Sequence, residues 1–301
     1  MSFSADLKLE LSEIQPHAQH CRIAELAGLV SLLGKYFDKK ILIRIENEVV
    51  FNKICRLLRK TFDIAPEMMY TSMSSGINIL ELSDILADEI IKTLKLREED
   101  GILSVDNVVF QRSCCKRAFL RGVFLAVGSI SSPEKKHHFE LDLPDEEKTV
   151  QIMEVMKSFD ISPKRVERRG SFVVYLKDGD EISNILSVIE ASGSLMAFEN
   201  MRIVKDIRNS INREVNCETA NIGRIAGAAV KQMEDIDYIT KTRGREYLPD
   251  SLRVIAELRA ENPLLSLKEL GELVDPPIGK SGVNHRLRRI SMIADRLRSE
   301  G

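Results

Sequence analysis

The sequence predicts an α+β protein in which a duplicated αβαββα unit precedes a smaller all-helical domain. The first observation is a repeat, since the apolar, glycine-containing stretch Leu26–Gly34 returns in altered form as Leu120–Gly128, 94 residues later. The second is that the elements predicted around both copies follow the same order, which supports duplication better than any single residue. The third is a change near residue 246 to three helical segments with no predicted strand.

Four glycines in the repeated stretches are predicted to serve helix packing in the core: Gly28, Gly34, Gly122 and Gly128. A glycine inside a helix costs about 1 kcal/mol relative to alanine. A cost repeated at equivalent positions is explained if the missing Cβ lets two helix backbones approach closely. The alternative is two unrelated core helices that happen to contain glycine.

The first half of the duplicated module is predicted over residues 1–110. A lead-in helix over 6–14 ends near Pro16, and the first glycine helix follows at about 20–35. Residues 41–46 alternate apolar and polar side chains, as a half-buried strand does. The remaining predicted elements are a helix at about 49–62, strands near 66–70 and 77–82 around a turn at 72–76, and a helix over 84–94.

The second half is predicted over residues 111–200, and the charged segment 97–110 connects it to the first. Its predicted elements are a glycine helix at about 112–127, a strand over 138–143, a helix over 145–159, strands near 164–168 and 172–177, and a helix from 180 or 181 to about 191. We expect the two halves to pair about a pseudo-twofold axis. The glycine helices would lie at the axis, and the two sheets would form one saddle-like surface.

Composition sets limits on the class of protein. The chain has 301 residues, a net charge of −2 and a pI of about 6.3, so its overall charge does not indicate a nucleic-acid binder. The five cysteines include an adjacent pair, and the N-terminus is polar, which together predict a reduced cytoplasmic protein. No apolar run approaches the roughly 18 residues of a membrane span, so no membrane partner is expected.

The third part of the chain is predicted as a basic linker and helix over 201–245, followed by a domain over 246–301. In that domain Ser251–Ala260 follows Pro249 as a helix, and Ser266 with Glu269 forms a capping box before a short helix over 267–274. A break over 275–279 precedes a longer helix to about Arg298. This spacing of a support helix, a short helix, a tight break and a longer helix is typical of a helix-turn-helix.

The long last helix carries six cations and two acids in a chain that is net negative. In a helix-turn-helix, residues early in this helix face base edges, where Asn suits adenine and Arg suits guanine, and the start of the preceding helix meets phosphate. The predicted DNA contacts between Ser266 and Arg298 are Ser266, Lys268, Lys280, Ser281, Asn284, His285, Arg286, Arg288 and Arg289. The alternative is a solvated cationic helix that binds nothing.

The duplicated module resembles the LAGLIDADG homing endonucleases, because its element order is doubled and LAGLVSLLG heads the first half. In that family an acidic residue next to the end of the motif binds the metal that cleaves DNA. Leu33 and Val127 occupy those positions here, and neither side chain can ligate Mg²⁺. The resemblance therefore implies a scaffold that keeps the packing without the cleavage, with no catalytic residue, no metal and no enzyme activity.

The whole chain resembles the WhiA family, most specifically in LAGLVSLLG, NCETANIGRIAGAAVKQ and SLKELGELVDPPIGKSGVNHRLRRI. That family joins a degenerate LAGLIDADG-like module to a C-terminal helix-turn-helix similar to region 4 of sigma factors. The resemblance implies a bacterial, nucleoid-associated regulator that binds promoter DNA and acts on cell-division or sporulation genes. We expect no cofactor, and another transcription regulator or RNA polymerase is a further candidate partner.

Two other functions stay open from the sequence. An active nuclease is opposed by Leu33 and Val127, and motifs of hydrolases, P-loop nucleotidases and dehydrogenases do not occur. A protein-interaction scaffold is favoured by the predicted saddle, whose strand cations are interspersed with acids. Those cations are Arg44, Lys164, Arg165, Arg168 and Lys177, and the acids are Glu46, Glu48, Glu140, Asp142 and Glu167.

Histidines and cysteines give only a weak metal signal in the sequence. His17, His20 and Cys21 have a loosely metal-like spacing, but no neighbouring cluster completes four ligands. Cys114 and Cys115 are adjacent, and we expect them to pack rather than to chelate together. The prediction is therefore that these residues have ordinary surface and core roles.

Overall fold

A computed structural model describes residues 2–64, 70–74, 76–135 and 137–300 of the chain. The chain divides into two compact units, Met1–Asp206 and Ile207–Gly301. The first unit combines helices with antiparallel sheets, and the second is helical in the part that the structure describes. The predicted α+β class with a duplicated module is confirmed.

The first half of unit one contains a four-stranded antiparallel sheet in the order β1-β2-β4-β3. Its elements are α1 (Phe3–Glu13), α2 (Gln19–Leu33), β1 (Gly34–Phe37), β2 (Lys40–Ile45), α3 (Glu48–Phe62), β3 (Tyr70–Ser74), β4 (Ile77–Ser83) and α4 (Asp84–Thr93). The strand predicted near 66–70 lies almost wholly outside the described residues, and the described strand β3 covers part of the predicted turn at 72–76.

The second half repeats this arrangement with a sheet in the order β7-β8-β10-β9. Its elements are α5 (Ser113–Val127), β7 (Gly128–Ile130), β8 (Phe139–Leu143), α6 (Glu146–Lys157), β9 (Lys164–Arg168), β10 (Ser171–Leu176) and α7 (Gly179–Val188). The same element order and the same sheet order in both halves make this unit a structural duplication. One continuous hydrophobic core runs through both halves.

Several short strands were missing from the sequence prediction. The connection over 97–110 contains a hairpin of β5 (Leu96–Glu99) and β6 (Ile102–Val105), followed by a turn of 3₁₀ helix over Asn107–Phe110. β1 and β7 are also short and begin directly at the ends of the glycine helices. Strands of three or four residues are too short for alternation to separate them from loops.

The two glycine helices, α2 and α5, pack directly against each other. A Cβ added at Gly28 would lie 2.8 Å from the carbonyl oxygen of Phe119. A Cβ at Gly122 would lie even closer to the carbonyl oxygen of Glu25. Real Cβ atoms essentially never come within 3.0 Å of such atoms, so the two backbones can only approach this closely where side chains are missing.

Gly34 and Gly128 have a different role from the helix packing expected of them. Each is the C-cap of its helix, with extended backbone at φ −89° and −81°, and each amide donates to the carbonyl four residues earlier. Each is also the first residue of a strand, β1 or β7. These two glycines therefore lie where helix turns into strand, and not at the contact between the helices.

A buried network of charges lies beside the glycine contact. Glu25 on α2 accepts from Arg121 Nη2 of α5 at 3.0 Å, and Lys53 Nζ of α3 lies 3.1 Å from Glu25 Oε1. These three side chains are at most 2% exposed. Arg121 Nη1 also lies 2.5 Å from Glu190, which is half exposed. The network therefore connects α2, α3 and α5 through charged side chains that are buried from solvent.

The pKa values of the two buried cations shift in opposite directions, although burial acts to lower both. Burial lowers the pKa of Lys53 despite the attraction of Glu25, and Lys53 also donates to the carbonyl of Ile14. Burial also opposes the charge on Arg121, but Glu25 and Glu190 together raise its pKa above the ordinary value. Removing Glu25 would leave the two buried cations without their shared partner. Such a change is strongly destabilising, because the remaining charges stay buried without compensation.

The second unit begins within a 52-residue helix, α8 (Ser192–Arg243). It continues with α9 (Asp250–Glu261), α10 (Leu267–Glu272) and α11 (Lys280–Glu300). The linker and the separate helix predicted over 201–245 are therefore wrong as to structure, because one helix runs through most of that segment. The segment contains no proline, so nothing in its covalent structure stops the helix. Among the described helices, none carries an apolar stretch long enough to cross a bilayer.

The helix contact yields a stability prediction for Gly122→Ala. Alanine is the better helix former by about 1 kcal/mol, but here its Cβ would meet the backbone of α2. We expect the steric clash to outweigh the gain in helix propensity and to destabilise the first unit by about 1–3 kcal/mol, the usual cost of overpacking. Thermal and urea unfolding of the full chain measure this.

The matched control is Gly227→Ala in α8, where an added Cβ would meet nothing within 4 Å. This change should leave stability unchanged or raise it. An unchanged or raised melting temperature for Gly122→Ala would contradict the close contact between α2 and α5.

Candidate nucleic-acid interface

The last three helices form a small core of their own. Its buried members include Ile255 of α9, Leu270 of α10, and Val283 and Leu287 of α11. Ile239 of α8 is fully buried in the same core. The domain therefore begins before residue 246, the boundary that the sequence predicted. The end of α8 is part of this fold and is not a connection.

The break between α10 and α11 depends on Gly271. The amide of Ile278 donates to the carbonyl of Gly271 at 3.0 Å, which closes the turn. A Cβ at Gly271 would lie well inside 3.0 Å of the Ile278 carbonyl oxygen. Only glycine therefore fits here without a shift of backbone, a requirement that the sequence prediction did not identify.

Arg259 fixes the other connection, between α9 and α10. Its guanidinium is buried, and Nη1 donates to the carbonyls of Leu265 at 2.8 Å and Pro263 at 3.3 Å. Burial lowers the pKa of Arg259. This arginine serves the loop between the helices and is not available to a ligand.

The start of α10 carries the predicted capping box. Ser266 Oγ accepts from the amide of Glu269 at 3.3 Å, and Glu269 Oε2 accepts from the amide of Ser266 at 2.7 Å. The backbone bond from Ser266 is the main reason why the pKa of the Glu269 carboxyl is lowered. A carboxylate at this end of the helix repels phosphate, so the structure does not favour Ser266 as a phosphate contact. Lys268 is 79% exposed, with its ammonium 4.0 Å from Glu272, and it remains a candidate phosphate contact.

α11 presents one exposed stripe along its N-terminal half. Ser281, His285 and Arg288 are exposed and lie four and three residues apart, on the side opposite the core. Lys280 and Arg289 are exposed on either side of this stripe. The structure thus gathers five of the nine predicted contacts on one helix face.

Two predicted contacts on α11 are less accessible. Asn284 and Arg286 are half-buried. Arg286 Nη1 lies 3.4 Å from the carbonyl of Ser251 on α9, within hydrogen-bond distance. Asn284 borders the exposed stripe, whereas Arg286 points back toward the support helix.

The cations of α11 fall into two groups by their partners. Arg296 is paired with Glu300 at 2.8 Å, and Arg298 with the buried Asp235 of α8 at 2.7 Å. The bond to Asp235 is the main cause of the raised pKa of Arg298, which also lies over the ring of Tyr238. In contrast, no hydrogen bond or ion pair joins Lys280, Arg288 or Arg289 to any residue that the structure describes. The N-terminal half of α11 therefore keeps unneutralised positive charge.

The C-terminal ends of α2 and α5 are the positions at which a homing endonuclease would carry its acidic metal ligands. Leu33 and Val127 are the last residues of these helices, and both are half-buried against the hydrophobic core. Within the described ranges, the one gathering of three or more His, Cys, Asp or Glu ligand atoms is His20, Cys21, Cys114 and Cys115, at the opposite ends of the same helices.

That cluster joins residues for which the sequence predicts ordinary surface and core roles. The structure brings His20 and Cys21 of α2 to Cys114 and Cys115 of α5, while His17 is outside the cluster. Burial and the neighbouring Cys114 raise the pKa of Cys21 to about 12. Sequence spacing could not show this, because the two pairs are 94 residues apart.

Comparisons with known proteins agree with this two-part architecture. The model of the WhiA LAGLIDADG-like domain matches residues 116–208, and that of the WhiA C-terminal HTH domain matches residues 211–294. A probable cell division protein WhiA of Lachnoclostridium phytofermentans is 45% identical over 99% of this chain and 100% of its own length. Another from a Thermoanaerobacter species is 41% identical over 99% and 98% of the two chains.

A solved structure resembles the whole chain. The crystal structure of full-length DUF199/WhiA from Thermatoga maritima has a TM-score of 0.62 and 25% sequence identity. The match covers 98% of this chain and 99% of that one.

The turn geometry gives a prediction for Gly271→Ala. The added Cβ would collide with the Ile278 carbonyl, so the turn would have to open and the packing of α10 on α11 would weaken. We expect a loss of about 1–3 kcal/mol in the second unit. Hydrogen exchange of peptides from residues 250–300, measured in the full chain, would report faster exchange.

Gly279→Ala is the control within the same turn, since an added Cβ there meets nothing within 4 Å. It should change stability by no more than about 0.5 kcal/mol. Equal protection in Gly271→Ala and the wild type would contradict the proposed need for glycine.

Proposed function

This chain belongs to the WhiA family, and on that premise we propose that it is a sequence-specific DNA-binding regulator of transcription, acting on promoters of cell-division or sporulation-type genes. The observation that carries the proposal is the N-terminal half of α11. There, unpaired cations flank an exposed stripe of hydrogen-bonding side chains, in a domain with helix-turn-helix connections. Such a protein would work in the cytoplasm, associated with the nucleoid.

Direct readout is assigned to the exposed stripe. With α11 in the major groove, Arg288 would donate to guanine O6 and N7, and Ser281 and His285 would reach base edges. Asn284, which borders the stripe, suits adenine N6 and N7. These contacts would supply sequence preference, each good bidentate pair being worth about 1–3 kcal/mol.

Phosphate contacts are assigned to the remaining cations. Lys280 and Arg289 flank the stripe, and Lys268 is exposed at the start of α10. Contacts of this kind give affinity and register without reading sequence, and they make binding weaken as salt rises. The pairing of Arg298 with Asp235 supports this division, since it fixes the far end of α11 to α8 and holds the reading half in place.

The first unit is proposed to be a non-cleaving scaffold. Metal-assisted phosphodiester cleavage needs oxygen ligands for Mg²⁺ close to the scissile bond. Leu33 and Val127 offer only aliphatic side chains at the ends of α2 and α5. The retained helix packing supports a structural role for this module.

A second candidate function for the first unit is docking of a protein, such as RNA polymerase or another regulator. β9 is the edge strand of its sheet, and all five of its residues are exposed. It carries Lys164, Arg165 and Arg168 together with Glu167. This mixture suits an acidic and basic protein surface better than a uniformly negative duplex.

The experiment is a binding titration of the full-length protein on promoter DNA and on scrambled DNA of equal length, across a range of salt. Arg288→Ala is compared with Arg296→Ala, because each removes one cation from α11. Loss of Arg288 should weaken promoter binding at least tenfold and reduce the preference over scrambled DNA. Arg296→Ala should have little effect, since Arg296 is paired with Glu300.

Two outcomes would contradict the proposal. Equal losses for the two variants would mean that α11 supplies only general positive charge. An absence of DNA binding at every salt concentration would favour the docking function. The same reactions with added Mg²⁺ test the scaffold, and DNA cleavage by wild-type protein would refute it.

A further inference from the structure

Four metal-ligating side chains meet at the N-terminal ends of the glycine helices. The Nδ1 or Nε2 atom of His20 and the Sγ atoms of Cys21, Cys114 and Cys115 all lie within 4.8 Å of one another. We propose that these residues form a zinc site that joins the N-terminal end of α2 to that of α5. The proposal concerns a part of the molecule separate from the DNA-reading helix.

The spacing of the ligand atoms fits one tetrahedral metal ion. His20 Nδ1 lies 3.2 Å from Cys115 Sγ and 3.3 Å from Cys21 Sγ. Zn–S bonds of about 2.3 Å and Zn–N bonds of about 2.0–2.1 Å in a tetrahedron place neighbouring ligand atoms roughly 3.5–3.8 Å apart. The two nitrogen–sulfur separations are slightly shorter than these values and every pair lies within 4.8 Å, so small side-chain rotations suffice to admit the ion.

The duplication explains how four ligands come together. His20 and Cys21 are the second and third residues of α2, and Cys114 and Cys115 are the second and third residues of α5. The two pairs are equivalent positions of the repeat, 94 residues apart. Close packing of the helices at Gly28 and Gly122 brings these first turns side by side. Each helix then contributes one pair of ligands.

The donor set specifies both the metal and its role. Three thiolates and one imidazole form a soft set that suits Zn²⁺ better than Mg²⁺ or Ca²⁺, which need oxygen ligands. Four protein ligands leave no open position, which is typical of a structural site rather than a catalytic one. Binding would release three thiol protons to solvent as the thiolates form.

The surroundings of the cluster oppose thiol ionisation by burial, favour it through two helix ends, and allow the metal to enter. The ligands lie in the first turns of two helices, where the positive ends of the helix dipoles favour negatively charged thiolates. Burial and the neighbouring Cys114 raise the pKa of Cys115, and Arg112, the N-cap of α5, acts in the opposite direction. Cys114 is exposed, and His20 and Cys21 are half-exposed, so the ion can reach the site from solvent.

The first test is metal analysis of the full-length protein, purified in thiol reductant without chelator and then dialysed. We expect about one zinc ion per chain by plasma mass spectrometry. Cys21→Ser and Cys115→Ser should lower the zinc content at least fivefold. Cys217→Ser is the control, because Cys217 is exposed on α8 and lies outside the cluster. Circular dichroism checks that each variant has folded.

Two alternative substitutions of His20 keep the test informative if a cysteine variant fails to fold. His20→Ala should lose zinc, whereas His20→Cys should retain it through four thiolates. Replacement of zinc by Co²⁺ in the wild type should give the intense visible bands of tetrahedral cobalt together with thiolate charge-transfer absorption. The His20→Cys variant should shift these bands as nitrogen is replaced by sulfur.

Several results would overturn the proposal. One is wild-type protein that binds neither zinc nor cobalt and in which four thiols react freely, namely the three of the cluster and that of Cys217. A disulfide between Cys21 and either Cys114 or Cys115 in protein kept under reductant would be another. Zinc content that is equal in wild type, Cys21→Ser and Cys115→Ser would show that any bound metal lies elsewhere.

Discussion

The close approach of α2 and α5 at Gly28 and Gly122 is the constraint on which the first unit depends. Since both sheets start at the C-terminal ends of these helices, at Gly34 and Gly128, the helix contact fixes where each sheet begins. The buried contact between Glu25 and Arg121 adds a polar restraint beside the glycines. A buried pair of this kind contributes little net stability, but breaking it is costly, so it favours one alignment of the two helices.

The two halves of α11 in the second unit differ in the partners of their cations. The C-terminal half of α11 has its cations neutralised, most firmly Arg298 by the buried Asp235. The N-terminal half keeps Lys280, Arg288 and Arg289 without such partners in the described part of the chain. Gly271 and Arg259 shape the two connections that set the direction of this half. Local charge, and not the net charge of the chain, is therefore what points to DNA.

The elements that could be predicted from the sequence are those that lie in the repeat or show a strong hydrophobic periodicity. The stretches Leu26–Gly34 and Leu120–Gly128 identified the central helices, and the apolar stripe over Val283–Leu297 identified the long last helix, α11. The sequence could not predict the burial of Glu25 and Arg121, because charged residues on a helix ordinarily face solvent. The cluster around Cys115 was missed for a related reason, since its ligands come from two distant helices. α8 was divided in the prediction because a long exposed helix carries little hydrophobic period to follow.

Recognition of DNA by α11 is tested most directly by methylation interference on DNA that the full-length protein has selected from a random pool. Methyl groups at guanine N7 lie in the major groove, and those at adenine N3 lie in the minor groove. Placing α11 in the major groove predicts that N7 methylation at discrete guanines blocks binding, and that Arg288→Ala removes the block at one of them. Interference confined to adenine N3, or no interference at any base, would contradict recognition by this helix.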